Sequence, residues 1–130
     1  MVDALYAAHR AVRPGGTVID LRPDSLHQPR ILQRGGRRGG LQETALAEGD
    51  SSASDRAIAR LVAEDLLKPV RTGHFWYSLR FPDRAGLDRW LETSRRLRGY
   101  APGTRARIEP GAGIIVRRAL TYGIYERCSL

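Results

Sequence analysis

Residues 1–21, MVDALYAAHRAVRPGGTVIDL, constrain the fold of this chain more than any other stretch. Val2, Leu5, Tyr6, His9 and Val12 recur at helical spacing, which predicts an amphipathic helix over residues 2–13 with one apolar face. Arg10 and Arg13 sit at its carboxyl end, where positive charge complements the helix dipole. Pro14 stops the helix, and Gly15-Gly16 supplies a backbone that can reverse. Residues 17–21 are then expected to be a strand, rich in β-branched side chains and short enough to be buried on both faces.

A chain of 130 residues is large enough for one real core, and a single domain over residues 1–130 is expected. No run reaches the roughly 18 apolar residues of a membrane helix, and Met1-Val2-Asp3 does not begin like a signal peptide. No membrane partner is expected, and the cytoplasm is the default location. Cys128 is the single cysteine, so no disulfide forms within the chain, and its thiol reads as incidental.

The formal charge of +8 raises the question of nucleic acid. Of 22 lysines and arginines only Lys68 is lysine, leaving 21 arginines, an imbalance that fits a base-composition bias as well as a selected surface. The arginines are spread along the chain, densest at Arg34, Arg37 and Arg38, and no motif of the usual nucleic-acid modules is present. Non-specific polyanion affinity at low salt follows from charge alone, whereas a specific nucleic-acid partner is not expected.

The helix, the run Ala8-His-Arg-Ala-Val-Arg-Pro-Gly-Gly16 and the strand opening Thr17-Val-Ile-Asp20 together resemble a segment of the class I S-adenosylmethionine-dependent methyltransferases. In that family a Leu-Arg-Pro-Gly-Gly turn links a late helix to the fifth strand of a Rossmann-like sheet, and Val12 stands here where leucine is usual. The resemblance covers about the first 21 of the 130 residues and rests on a structural turn. The fold expected for the whole chain is α+β, one mixed, mainly antiparallel sheet with about three helices, and the resemblance relates it to the C-terminal half of such an enzyme. The family's cofactor-binding loop lies upstream of this turn. Gly35-Gly36 and Gly39-Gly40 do not replace it, because no strand-to-helix unit surrounds them. Two readings remain. The chain is a standalone, non-catalytic module, or it is a methyltransferase component completed by a separate or missing cofactor-binding half. The first is expected, with no cofactor.

Further along, residues 22–29 hold two prolines and read as an irregular connection with His27 facing solvent. Residues 30–34 and 41–47 flank Gly35-Gly-Arg-Arg-Gly-Gly40, which predicts a β-hairpin with Arg37 and Arg38 at its tip. That tip is a flexible turn or a site for a small anionic ligand, since arginine forks and backbone amides suit anions. A second helix is expected over residues 54–67, capped by Ser52 with Asp55 and ended by Lys68-Pro69. Its apolar stripe is Ile58, Leu61, Val62 and Leu66.

Residues 72–82 alternate as a strand, with Phe75, Tyr77, Leu79 and Phe81 on the core face and His74, Trp76, Ser78 and Arg80 on the other. His74, Trp76 and Arg80 are ligand or interface candidates, set against plain dressing of a half-exposed sheet. Asp83 should cap a third helix over residues 84–97, ended by Gly99, with Leu87, Trp90, Leu91 and Leu97 inward. Residues 114–127 read as the last strand, with Gly123 as a bulge candidate.

No catalytic constellation emerges. His9, His27 and His74 are far apart in sequence, which gives no metal-ligand spacing, and no Gly-x-Ser-x-Gly elbow is present. Asp20, at the end of the first strand, is either a site residue or a cap for the following turn. In the related fold the strand at residues 17–21 has a neighbour that this chain does not supply, and an uncovered edge invites pairing. A homodimer, with contacts that include Trp76, is therefore expected.

Overall fold

The computed structural model describes residues 2–24 and 26–128, except for the side chains of Val2 and Asp3. Val2, expected on the apolar face of the first helix, and Ser25, within the proline-rich connection, thus fall outside what is described. Among the described residues the chain is α+β, with elements in the order α1 (Val2–Ala11), β1 (Thr17–Pro23), β2 (Arg30–Gln33), β3 (Gly36–Glu43), α2 (Ala45–Ala63), β4 (Leu67–Phe81), α3 (Arg84–Thr93), β5 (Arg98–Tyr100), α4 (Thr104–Arg107) and β6 (Ile114–Arg127). The six strands form one open, mainly antiparallel sheet of order β1-β6-β2-β3-β5, with β4 also pairing β6. The expected class is the one adopted. No helix among the described residues is long and apolar enough to cross a membrane.

The chain divides into two compact units. The first draws on Met1–Arg22, Gly49–His74 and Thr121–Leu130, the second on Pro23–Glu48 and Phe75–Leu120. In the first, Leu5 of α1, Val18 of β1, Ala57, Ile58 and Leu61 of α2, Leu67 and Tyr125 form the core. Burying one such leucine stabilises the fold by about 1.5–3 kcal/mol. The Arg-Pro-Gly-Gly turn forms as expected. Gly15 takes φ +78°, which only glycine adopts without strain, and a Cβ on Gly16 would lie 2.5 Å from Val12 Cγ1. The Gly15 amide donates to the Arg127 carbonyl at 2.8 Å and the Arg127 amide to that of Gly16 at 2.9 Å, so the turn hands the chain directly to β6.

Three expectations in this unit are corrected. β1 is buried on one face only: Val18 and Asp20 point inward, while Ile19 and Leu21 are 68% and 55% exposed, because α1 and α2 contribute to a single core beside Val18. The second helix begins at Ala45 rather than residue 54, so Ser52 and Asp55 lie inside it and form no capping box. Within the helix the Ser54 hydroxyl donates back to the Asp50 carbonyl at 3.0 Å. Lys68-Pro69 belongs to β4; the helix has already ended at Ala63, and Asp65 follows at φ +56°.

In the second unit Ile31, Leu41, Leu87, Leu91, Ile108, Ile114 and Val116 form the core, with Leu79, Phe81, Trp90 and Tyr100 packed against it. Phe75, expected on this face, is instead 43% exposed. The hairpin exists, but its turn is Arg34-Gly35, with Arg34 at φ +50° and Gly35 at φ +74°. Arg37 and Arg38 therefore lie in β3 and not at a tip. Ile31 pairs Gly39 and Leu32 pairs Arg37, which leaves Arg38 as the extra residue of a bulge. Residues 45–47, expected as strand, open α2. The Asp83 carboxylate caps α3, accepting from the Gly86 amide at 2.8 Å. The helix ends at Thr93 rather than residue 97, and Gly99 lies in β5 opposite Gln42. β6 has the expected bounds, and Gly123 is set by close approach: a Cβ there would lie 2.5 Å from the Tyr125 ring.

One buried polar side chain ties β2 to the approach of β6. Gln33, 2% exposed, donates to the carbonyls of Glu109 at 2.8 Å and Ala112 at 3.2 Å, and accepts from the Glu109 amide at 2.8 Å. Leucine at this site would leave the Glu109 amide and two carbonyls without their partner. Gln33→Leu is expected to lower stability by about 2–4 kcal/mol, read as a lower urea midpoint at unchanged slope; a midpoint like that of the parent chain would contradict this role.

Candidate functional site

In the second unit a cleft of about 550 Å³ lies over β3. Its floor is set by two glycines and a threonine. Gly39 takes φ +144°, and a Cβ there would fall 2.2 Å from Thr104 Oγ1, so both backbone and space require glycine. Thr104, fully buried, accepts from the Gly40 amide at 3.2 Å, while the Gly40 carbonyl accepts from the Ala101 amide at 2.9 Å. Gly103 at φ +76° precedes α4 and lets this single turn press on β3, which brings Arg107 to the cleft.

The same turn is tied to α3. Tyr100 donates to Asp88 Oδ1 at 2.6 Å, and the Arg105 guanidinium donates to both Asp88 oxygens, at 3.2 and 2.9 Å. Arg105 holds the Asp88 carboxyl below its ordinary range, and burial with the Asp88 bond pushes the Tyr100 phenol well up.

Charge of both signs lines this cleft. Arg37 donates from Nε to the Gly39 carbonyl at 3.3 Å, which folds its guanidinium back toward the glycines. At the other end are Glu43, where β3 finishes, and Glu48, in the first turn of α2. Thr44 begins that helix, accepting from the Glu48 amide through its carbonyl at 3.0 Å. The Glu43 Oε2 atom is buried with no hydrogen-bond partner among the described residues. Arg98 and Arg118 act on Glu43 through their fields but form no ion pair with it; their guanidiniums lie 5.5 and 5.7 Å from the Trp90 ring centre. Burial first, and then Glu48, raise the Glu43 carboxyl above its ordinary value.

The residues singled out from the sequence fall in several places. Arg37 lines the cleft. Arg38 turns instead toward Glu109, 3.9 Å away, beside the Arg34–Glu109 pair at 3.1 Å. Asp20 is buried in the first unit against Arg22 Nε at 2.8 Å, and Arg22 reaches Asp55 at 2.7 Å as well. His74 belongs to the first unit, Trp76 and Arg80 to the second. Trp76 is half-buried, with the Arg30 guanidinium 4.8 Å from its ring centre and the His27 ring edge-on at 5.8 Å. His27 does not simply face solvent, because it bonds Asp24 at 2.9 Å. Among the described residues no group of three His, Cys, Asp or Glu could hold a metal ion.

Glu43, Glu48, Thr104 and Arg107 were not legible as site residues. The double glycine signalled a turn, and the requirement it meets is close approach of a distant threonine. No protein-family model matches the chain, and no curated protein or solved structure matches it either.

A carboxyl with a raised folded-state value binds its proton more tightly in the fold than in the unfolded chain. Its contribution to stability is therefore lost as pH rises through the raised value. Glu43→Gln is expected to raise the urea midpoint slightly at pH 7, with the gain disappearing once pH falls below the ordinary glutamate range. A variant less stable at pH 7 would show that Glu43 is compensated.

Proposed function

We propose that this chain is a methyltransferase-related binding and interaction module that carries no reaction of its own and acts as a homodimer. The observation that carries this reading is the outward face of β1, where Ile19 and Leu21 stand exposed two residues apart on a strand at the end of the sheet order. The helix–turn–strand resemblance supports the ancestry, and the exposed strand supports the interaction. A second copy is the fitting occupant. In an isologous contact the same patch faces itself, so apolar Ile19 and Leu21 would meet their own counterparts. Thr17, Ile19 and Leu21 carry no charge, and two copies of a chain at +8 can approach there without placing like charges opposite each other.

Light scattering behind size exclusion at micromolar concentration is expected to report a dimer. Ile19→Lys and Leu21→Lys, which leave the buried Val18 face intact, should each weaken it at least tenfold. A parent chain that elutes as a monomer would remove the dimer. Calorimetric titration with S-adenosylmethionine is expected to give no saturable heat. Saturable binding by this chain alone would replace the reading with that of a methyltransferase component.

A further inference from the structure

The cleft of the second unit holds two charges of each sign and pairs none of them. Elsewhere among the described residues, Arg22 pairs with Asp20 and Asp55, Arg34 with Glu109, Arg60 with Glu64, and Arg105 with Asp88. In the cleft, Arg37 and Arg107 stand at the end built by Gly39, Gly40 and Thr104, while Glu43 and Glu48 stand where β3 gives way to α2. None of these four side chains forms an ion pair with a described residue. The strand itself keeps the poles apart. With the Arg37 guanidinium drawn back to Gly39, the run from Gly39 to Glu43 separates them by on the order of 10 Å at about 3.3 Å per strand residue.

We propose that this cleft binds a short peptide with both ends free, its carboxylate between Arg37 and Arg107 and its ammonium between Glu43 and Glu48. An anion alone would leave the two carboxylates of the lining without a partner, and a cation alone would leave the two guanidiniums. A single α-amino acid carries its charges too close together to reach both poles. An extended chain spans at most about 3.3–3.6 Å per residue, so two to four residues match the separation. The volume of about 550 Å³ lies within the roughly 300–1,000 Å³ of small-ligand sites. Gln28 and Gln42 also line the cleft, and no described residue bonds their side-chain amides. Each offers a donor and an acceptor of the kind a peptide group needs. Arginine suits the carboxylate end because its planar fork takes both oxygens.

The site is independent of any dimer through β1, and its test is run on the full chain at fixed low salt. Calorimetry would use diglycine, triglycine and tetraglycine, each with free ends, N-acetylated, or C-amidated. At least one free-ended length is expected to bind saturably, and each cap should weaken it at least tenfold. Glu43→Gln should weaken the free-ended peptide about tenfold and leave the N-acetylated one unchanged. Arg107→Ala should spare the C-amidated peptide in the same way. Both variants are checked for cooperative thermal unfolding, and Arg37→Ala serves as a second probe of the carboxylate end. The proposal is overturned if no free-ended peptide binds, if capped peptides bind equally, or if either variant affects all three forms alike. Binding of 8-aminooctanoate as tight as that of the best peptide would overturn the peptide assignment, because that probe has no peptide groups for Gln28 and Gln42.

Discussion

The contact between Thr104 and the Gly39-Gly40 pair governs the second unit. A hydroxyl that both fills the space above one glycine and accepts from the amide of the next can sit there only if β3 presents bare backbone. Any Cβ at Gly39 would expel α4, and Arg107 would leave the cleft with it. The bond network then propagates outward: Tyr100 and Arg105 converge on Asp88, which ties the chain on both sides of Thr104 to α3. Because α3 contributes Leu87 and Leu91 to the core, the position of a surface arginine is fixed by buried packing two links away.

The first unit depends on a different economy. Its turn spends two glycines and a proline on reversing the chain within a few residues, and the Arg127 backbone closes it. The Arg127 guanidinium also donates to the Val12 carbonyl, answering an acceptor left over at the end of α1. Such a tight reversal fixes which side of β1 faces the helices. Val18 and Asp20 go in, Ile19 and Leu21 go out, and the period-two strand leaves no third arrangement. The buried Asp20 is tolerable because Arg22 folds onto it and is itself held by Asp55 and the Ser51 carbonyl.

Much of the fold was legible because local signals and tertiary demand agreed. The Arg-Pro-Gly-Gly turn, the Asp83 cap and the bounds of β6 all follow from residues acting on their near neighbours. The failures have a common cause in tertiary contacts that overrode local preference. Gly49-Asp50-Ser51-Ser52 is a poor helix sequence, yet it lies inside α2, because Leu61 and Ile58 bury one end of that helix while Thr44 starts the other. The hairpin turn shrank to Arg34-Gly35 because the later glycines were needed under Thr104, 64 residues away in sequence from Gly40. The site was the least legible part. Arg37 carried a signal as part of an arginine cluster, whereas Glu43 and Arg107 read as an ordinary strand end and an ordinary exposed arginine.

The distribution of cations around Glu43 bears most directly on whether the cleft is selected. Arg98 lies opposite Glu43 in the β3–β5 register and could have reached it. Instead both Arg98 and Arg118 are drawn to Trp90, whose ring face attracts guanidinium groups by its quadrupole. Burial pulls the Arg98 guanidinium down and Arg118 adds to that, so the pair would both be better off with a carboxylate between them. A chain optimised for stability alone would close that ion pair or replace Glu43 with a neutral residue. Keeping a half-buried carboxylate with one oxygen unanswered, beside Glu48 and across the cleft from two unpaired arginines, destabilises the apo fold. Arrangements of that kind persist where the missing partner arrives from outside the chain.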